Sequence, residues 1–122
     1  MHENALIIFL FPAPGHKLGQ SGFVSRRLKD KARALLQSER GTVHKEPGGR
    51  IRVALAYPNE YSIGMSSLGF QGVYSLLNKR PDVFCERAFL PSSDDLEEHR
   101  RTGAALCSLE TSYPVSEFEI LA

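Results

Sequence analysis

Cysteine is scarce in this sequence, the charges nearly cancel, and no hydrophobic run is long. Two cysteines, Cys85 and Cys107, lie far apart and belong to no CxxC or CxxH pair. That usage suits the reducing cytosol better than a disulfide scaffold, so the expected location is cytoplasmic. The net charge of +1 gives no whole-chain field that would draw the protein to nucleic acid or anionic lipid; either partner would need a local patch. The run ALIIFLF, residues 5–11, has neither a Lys/Arg n-region nor a small-residue cleavage site, and a membrane span needs roughly 20 apolar residues. It is expected to form a short strand or a hydrophobic arm, and no membrane partner is expected.

What remains is one ordinary globular domain. A chain of 122 residues, 42% hydrophobic and 24% charged, can bury a single core but cannot hold two. Residues 21–41 have apolar Val24, Leu28, Ala32, Leu35 and Leu36 on one helical face, with Ser25 or Ser21 as cap and Gly41 as the left-handed stop. The opposite face carries Arg26, Arg27, Lys29, Lys31 and Arg33 against only Asp30. It is the one basic patch, and it reads as a solvated face or as a surface for RNA or a protein partner. No aromatic residue is interleaved with the basic ones, so a stacking platform is not supported.

Further along, residues 42–46 and 51–57 flank Pro47-Gly48-Gly49, which predicts a hairpin or an extended lead-in to a central strand, IRVALAY. Phe70, Val73, Tyr74 and Leu77 then recur at helical spacing, and the helix closes at Asn78-Lys79-Arg80-Pro81. VFCERAFL predicts a second strand, residues 91–103 a short capped helix, ALCSLET a third strand, and residues 118–122 the start of a fourth. Because that run stops while still apolar, the sequence is expected to be truncated relative to its whole domain. Alternation of strand and helix argues for an α/β layer fold with a mostly parallel sheet.

In such a fold ligands sit beyond the carboxyl ends of the strands, and the loop YPNEYSIGMSSLGFQ after the first strand is in that position. Pro58, Asn59, Tyr61, Ser62, Gly64, Met65, Ser66, Ser67 and Gly69 are therefore the candidate ligand or domain-interface residues. The loop contains neither GxGxxG nor GxxxxGK[ST], so neither phosphate-binding signature is present. Gly69 and Gly72 could serve only to bring the helix close to the sheet. No histidine pair has i, i+4 metal spacing, and Cys85 and Cys107 fall on predicted strands, where a cysteine packs as a small hydrophobe. Glu60, Glu86 and Glu110 lie near predicted strand ends, but sequence alone cannot pair them. No catalytic residue and no metal ligand is assigned.

The pieces GGRI (48–51), YPNEYSIGMSSLGFQ, CERAFLP (85–91) and SLET (108–111) carry more than pattern. Over residues 39–122 the chain resembles the N-terminal region of a family of radical S-adenosylmethionine (SAM), iron–sulfur proteins. The resemblance implies a three-layer, Rossmann-like domain of the cobalamin-binding type at 42–122, preceded by an N-terminal arm and basic amphipathic helix at 1–41. It also implies a downstream radical SAM catalytic domain as partner, an unknown substrate, and a [4Fe–4S] cluster with S-adenosylmethionine in the parent protein. The cluster motif CxxxCxxC is absent here. Histidine-ligated cobalamin would use DxHxxG, whereas the matching loop, residues 59–64, has no histidine. A histidine-free cobalamin mode and loss of the cofactor both stay open. The expected role is an accessory domain that is not catalytic alone, with an RNA- or protein-binding domain using helix 25–37 as the alternative.

Overall fold

A computed structural model describes residues 24–122 of the chain. The expected arm at 5–11 and the first residues of the expected helix lie outside the described residues.

Helix α1 spans Arg26–Ser38, and the Ser25 hydroxyl caps it by accepting a hydrogen bond from the Leu28 amide at 3.5 Å. It stops earlier than the sequence predicts. Gly41 does take the left-handed conformation, at φ +84°, but Glu39 has already turned extended. The reason lies in the Glu39 side chain, which is drawn into the protein toward Arg87. No residue of α1 is fully buried; its apolar side is only half-covered.

The next residues form no hairpin. Residues 42–46 run extended along the following helix: the Val43 amide donates to the Tyr74 hydroxyl at 3.1 Å. Lys45 Nζ donates to the carbonyls of Arg80 and Val83 at 3.0 and 2.9 Å, placing a cation where a helix end is negative. The chain then enters β1 (Ile51–Tyr57), a single helical turn α2 (Tyr61–Gly64), α3 (Leu68–Lys79), β2 (Val83–Phe89) and α4 (Ser93–Thr102). A 3₁₀ turn at Val115–Glu117 leads to β3 (Ile120–Leu121).

The three strands form a parallel sheet in the order β2-β1-β3. Val53 pairs with Cys85 on one side and with Ile120 on the other, so IRVALAY is central as its composition predicts. Alternate residues face alternate sides. Val53, Leu55, Val83 and Cys85 pack against Phe70 and Tyr74 of α3. On the other side Ala54 and Ala88 meet Val115, with Leu106 and Phe118 against them. That second face is thus covered by the irregular segment 104–119, and what is established is an α/β domain with a three-stranded parallel sheet.

The expected strand at 105–111 does not form. Cys107 makes only an isolated antiparallel bridge with Pro114, and the chain between them turns back on itself, Ser112 adopting φ 55° and its amide donating to the Ser108 carbonyl. The Leu109 amide donates to the Arg87 carbonyl at 2.7 Å, so this turn lies along the outer edge of β2 without continuing the sheet. Asn78 closes the same edge: its side-chain amide donates to the Cys85 carbonyl and its Oδ1 accepts from the Cys85 amide, at 3.1 and 3.2 Å. The expected fourth strand is consequently the third, and it pairs with β1. Among the described residues, no helix is long and apolar enough to cross a membrane.

Candidate functional site

A cleft of about 290 Å³ opens where α1 crosses the carboxyl ends of β1 and β2. Leu28, Ala32 and Leu35 of α1 form one wall, and Phe89, Leu90 and Leu106 form the other. The loops after the two strands are tied together by the Leu90 amide, which donates to the Asn59 carbonyl at 3.0 Å. Gly64 lies behind Phe89. A Cβ there would lie 2.5 and 2.8 Å from two ring carbons of Phe89, so only glycine lets α2 settle against that ring. Phe89 in turn packs edge-on against Tyr61, with ring centroids 5.3 Å apart.

The candidate loop residues separate into distinct jobs. Tyr61 and Ser62 line the cleft. Pro58 instead lines a smaller apolar cavity of about 160 Å³, between Ala56, Ala88, Val115 and Leu121. The others wire the loop: Asn59 Oδ1 accepts from the Glu60 amide at 2.8 Å, Ser66 Oγ donates to the Ile63 carbonyl at 2.6 Å, and Ser67 Oγ caps α3 by accepting from the Phe70 amide at 3.2 Å. Met65 packs against the core, its sulfur 3.4 Å from an Arg87 nitrogen. Gly69 is exposed, and a Cβ on it would meet nothing closer than 3.9 Å; at Gly72 it would meet nothing within 4 Å. Neither glycine is needed for close approach of helix and sheet. Gly64 is, and it approaches aromatic rings.

Beside the cleft lies a buried ionic cluster that no spacing rule points to. Arg87, 2% exposed, donates through both terminal nitrogens to Glu39, at 3.0 and 2.8 Å, and through Nε to Glu110 at 2.8 Å. Glu110 also accepts from the Arg87 amide at 3.0 Å, and the guanidinium stacks 4.5 Å above the Tyr74 ring. Glu39 further accepts from the hydroxyls of Tyr61 and Thr42. Burial alone would raise the Glu39 carboxyl, but the bonds from Arg87, Tyr61 and Thr42 outweigh it and hold the group below its ordinary value. Burial, with the Glu39 carboxylate, pushes the Tyr61 hydroxyl up to about 12. Tyr61 therefore stays protonated and serves as a strut. The only sequence signal for this cluster is a charged Glu-Arg pair inside an apolar strand, since β2 must answer both charges somewhere.

Glu86, the other half of that pair, faces the opposite side of the sheet and is 1% exposed. It accepts from Ser108 Oγ and Thr111 Oγ1, both at 2.6 Å, which pins the turn after residue 107. Burial raises its carboxyl above the usual range in spite of those two donors.

The charged faces of α1 and α4 meet. Lys31 Nζ lies 2.6 Å from Asp95, Arg27 lies 3.7 Å from Glu98, and Ser25 Oγ donates to Glu98 at 2.6 Å. Two side chains of the basic patch, Arg27 and Lys31, therefore have partners on α4, and Arg26 and Arg33 each lie 3.9 Å from Asp30 on α1 itself. Among the described residues no group of three or more His, Cys, Asp or Glu side chains is placed to hold a metal ion. Cys85 and Cys107 are both free, and burial pushes their thiols up to about 12 and about 11, so neither is a ready thiolate. The donor set of an iron–sulfur cluster does not fit these residues.

Residues 69–122 match the family model described as radical SAM proteins, N-terminal. No curated protein and no solved structure matches the chain.

Proposed function

We propose, from the premise that residues 69–122 are the N-terminal domain of a radical SAM protein, that the chain acts as an accessory domain of a radical SAM enzyme. It docks against the catalytic domain and helps to hold substrate or cofactor at its strand ends. The family match carries this reading. The cleft supports it, because it lies beyond the carboxyl ends of parallel strands, where open α/β sheets place their ligands. The sheet order supports a Rossmann-like, cobalamin-type fold for 42–122, since β2-β1-β3 is the beginning of the doubly wound order 2-1-3-4-5. The preceding unit is residues 1–41, of which the structure describes α1, and the free cysteines accord with a cytosolic setting.

The cluster and S-adenosylmethionine of the parent enzyme belong to the catalytic domain, where three thiolates leave one iron open to S-adenosylmethionine. This chain's residues do no part of that chemistry. Cobalt ligation by histidine does not fit either. The loop after β1 has none, and His99, which does line the cleft, has its Nδ1 committed to the Ala104 carbonyl at 2.8 Å. An RNA-binding reading is weakened at α1, where Arg27 and Lys31 answer α4, although Arg26, Lys29 and Arg33 stay exposed.

The test is the reading frame beyond Ala122. It should encode CxxxCxxC, and the longer protein, expressed anaerobically, should carry about four iron and four sulfide per chain. A stop codon with no such motif overturns the proposal.

A further inference from the structure

We propose that the cleft beneath α1 is a binding site for a neutral, largely apolar molecule of one or two rings that carries a hydrogen-bond donor, and that His99 Nε2 accepts from that donor. This inference names the ligand class for the accessory-domain reading and rests on that reading for the ligand's use; binding itself is a property of this chain.

Size comes first. At about 290 Å³ the cleft lies at the lower end of small-molecule sites, which span roughly 300–1,000 Å³, and so takes a ring system but not a nucleotide-sized cofactor. Its facing walls, Leu28, Ala32 and Leu35 against Phe89, Leu90 and Leu106, ask for an apolar body. Charge does not select the ligand. Lys29 and Lys31 at the cleft are balanced by Glu60 and Asp95, and Lys31 is already paired with Asp95.

The specific element is His99, which is 7% exposed and lines the cleft. A carbonyl oxygen can only accept, so the bond to Ala104 fixes the hydrogen on Nδ1. In the neutral ring Nε2 is then an acceptor, and no described residue bonds it. Nε2 is not sealed from solvent, so a ligand that displaces water from it must donate in its place or forfeit that bond. Two other polar groups of the cleft are already engaged: Tyr61 donates to Glu39 and Ser108 donates to Glu86.

The probes are indole, benzofuran and indole-3-carboxylate, each titrated into the isotope-labelled 122-residue chain and followed by amide shifts. Indole should give saturable shifts at Leu28, Phe89 and His99. Benzofuran, with the same shape and an oxygen in place of N–H, should bind about tenfold more weakly. The carboxylate should bind no tighter than indole. His99→Phe should bring the indole-to-benzofuran ratio to about one, and Ala32→Trp, which fills the cleft from an exposed helix, should remove binding of both. Absence of saturable shifts at the cleft, no preference for indole, tighter binding of the carboxylate, or a preference that survives His99→Phe would overturn the assignment. Should His99→Phe unfold, the wild-type ratio and Ala32→Trp decide it. A longer protein that carries its cluster while this chain fails to bind overturns the ligand inference alone; binding without any cluster motif downstream overturns only the accessory-domain reading.

Discussion

The two ends of α1 are held by the same kind of interaction in opposite surroundings. At its start, Arg27 and Lys31 reach α4 with side chains 60% and 50% exposed; at its end, Glu39 meets Arg87 with side chains 8% and 2% exposed. An exposed pair gains little over hydration and weakens with salt. A buried bidentate pair fixes position, and losing one partner strands a charge out of water. The comparison teaches that α1 is pinned beside the sheet by a buried ion pair at Glu39, and held at the mouth of the cleft by half-exposed cations and the buried hydrogen bond from Ser25 to Glu98.

Removing the pin should have the largest effect. Arg87→Met leaves Glu39 and Glu110 buried without their cation, and urea denaturation should show a loss of about 3–5 kcal/mol. Replacing all three charges, with Glu39→Leu and Glu110→Leu added, should recover much of that loss, because the penalty belongs to the stranded carboxylates. If the single and triple variants are equally unstable, the cluster acts through shape and the contrast drawn here fails.

Gly64→Ala comes next. The added methyl would meet the Phe89 ring far inside contact distance, and overpacking of this kind typically costs about 1–3 kcal/mol. Phe89 is also a wall of the cleft, so ring binding should weaken along with stability. A Gly69→Ala control, in open space, should leave both unchanged.

Glu39 and Glu86 allow the comparison to be sharpened by pH, because their carboxyls are shifted in opposite directions. Glu39 is lowered, so its stabilisation is complete above the ordinary value of 4.5 and is lost as pH falls through its folded value. Glu86 is raised, so the folded chain holds the extra proton and stability declines as pH rises from 4.5 through that raised value. Glu86→Gln keeps an oxygen for Ser108 and Thr111, and should lift the denaturation midpoint at neutral pH while removing the decline. Glu39→Gln should lower the midpoint at neutral pH and flatten the acid limb. Matching pH profiles for the two variants would contradict the assigned directions.

Much of this architecture is legible in the residues. IRVALAY is the central strand, and Phe70 and Tyr74 form the buried face of α3, because apolar periodicity reports burial directly. The failure at 105–111 is physical. ALCSLET has strand-like residues, but Ser108, Thr111 and Glu110 are drawn to Glu86 and Arg87, and a side chain meeting a buried charge overrides a local preference of tenths of a kcal/mol. The candidate loop lies at the strand end, but of its residues Glu60, Tyr61 and Ser62 line the cleft, while Asn59 and Ser67 satisfy backbone amides of the loop and of α3. Its opposite wall and His99 come from segments far away along the chain, beyond the reach of any spacing rule.

The smallest expected effect falls at the mouth of the cleft. Lys31→Ala removes one exposed partner of Asp95 and should cost only about 0.2–1 kcal/mol, vanishing as salt rises. Its value lies in what moves. If α1 is held separately at its two ends, amide exchange in residues 26–32 should quicken in this variant while residues 36–39 stay protected by the Glu39 pin. Uniform quickening along α1 would mean that the helix releases as one body and that Glu39 does not hold its end separately. Restored protection with Lys31→Arg would show that charge, and not the length of the aliphatic stem, holds the helix at this end.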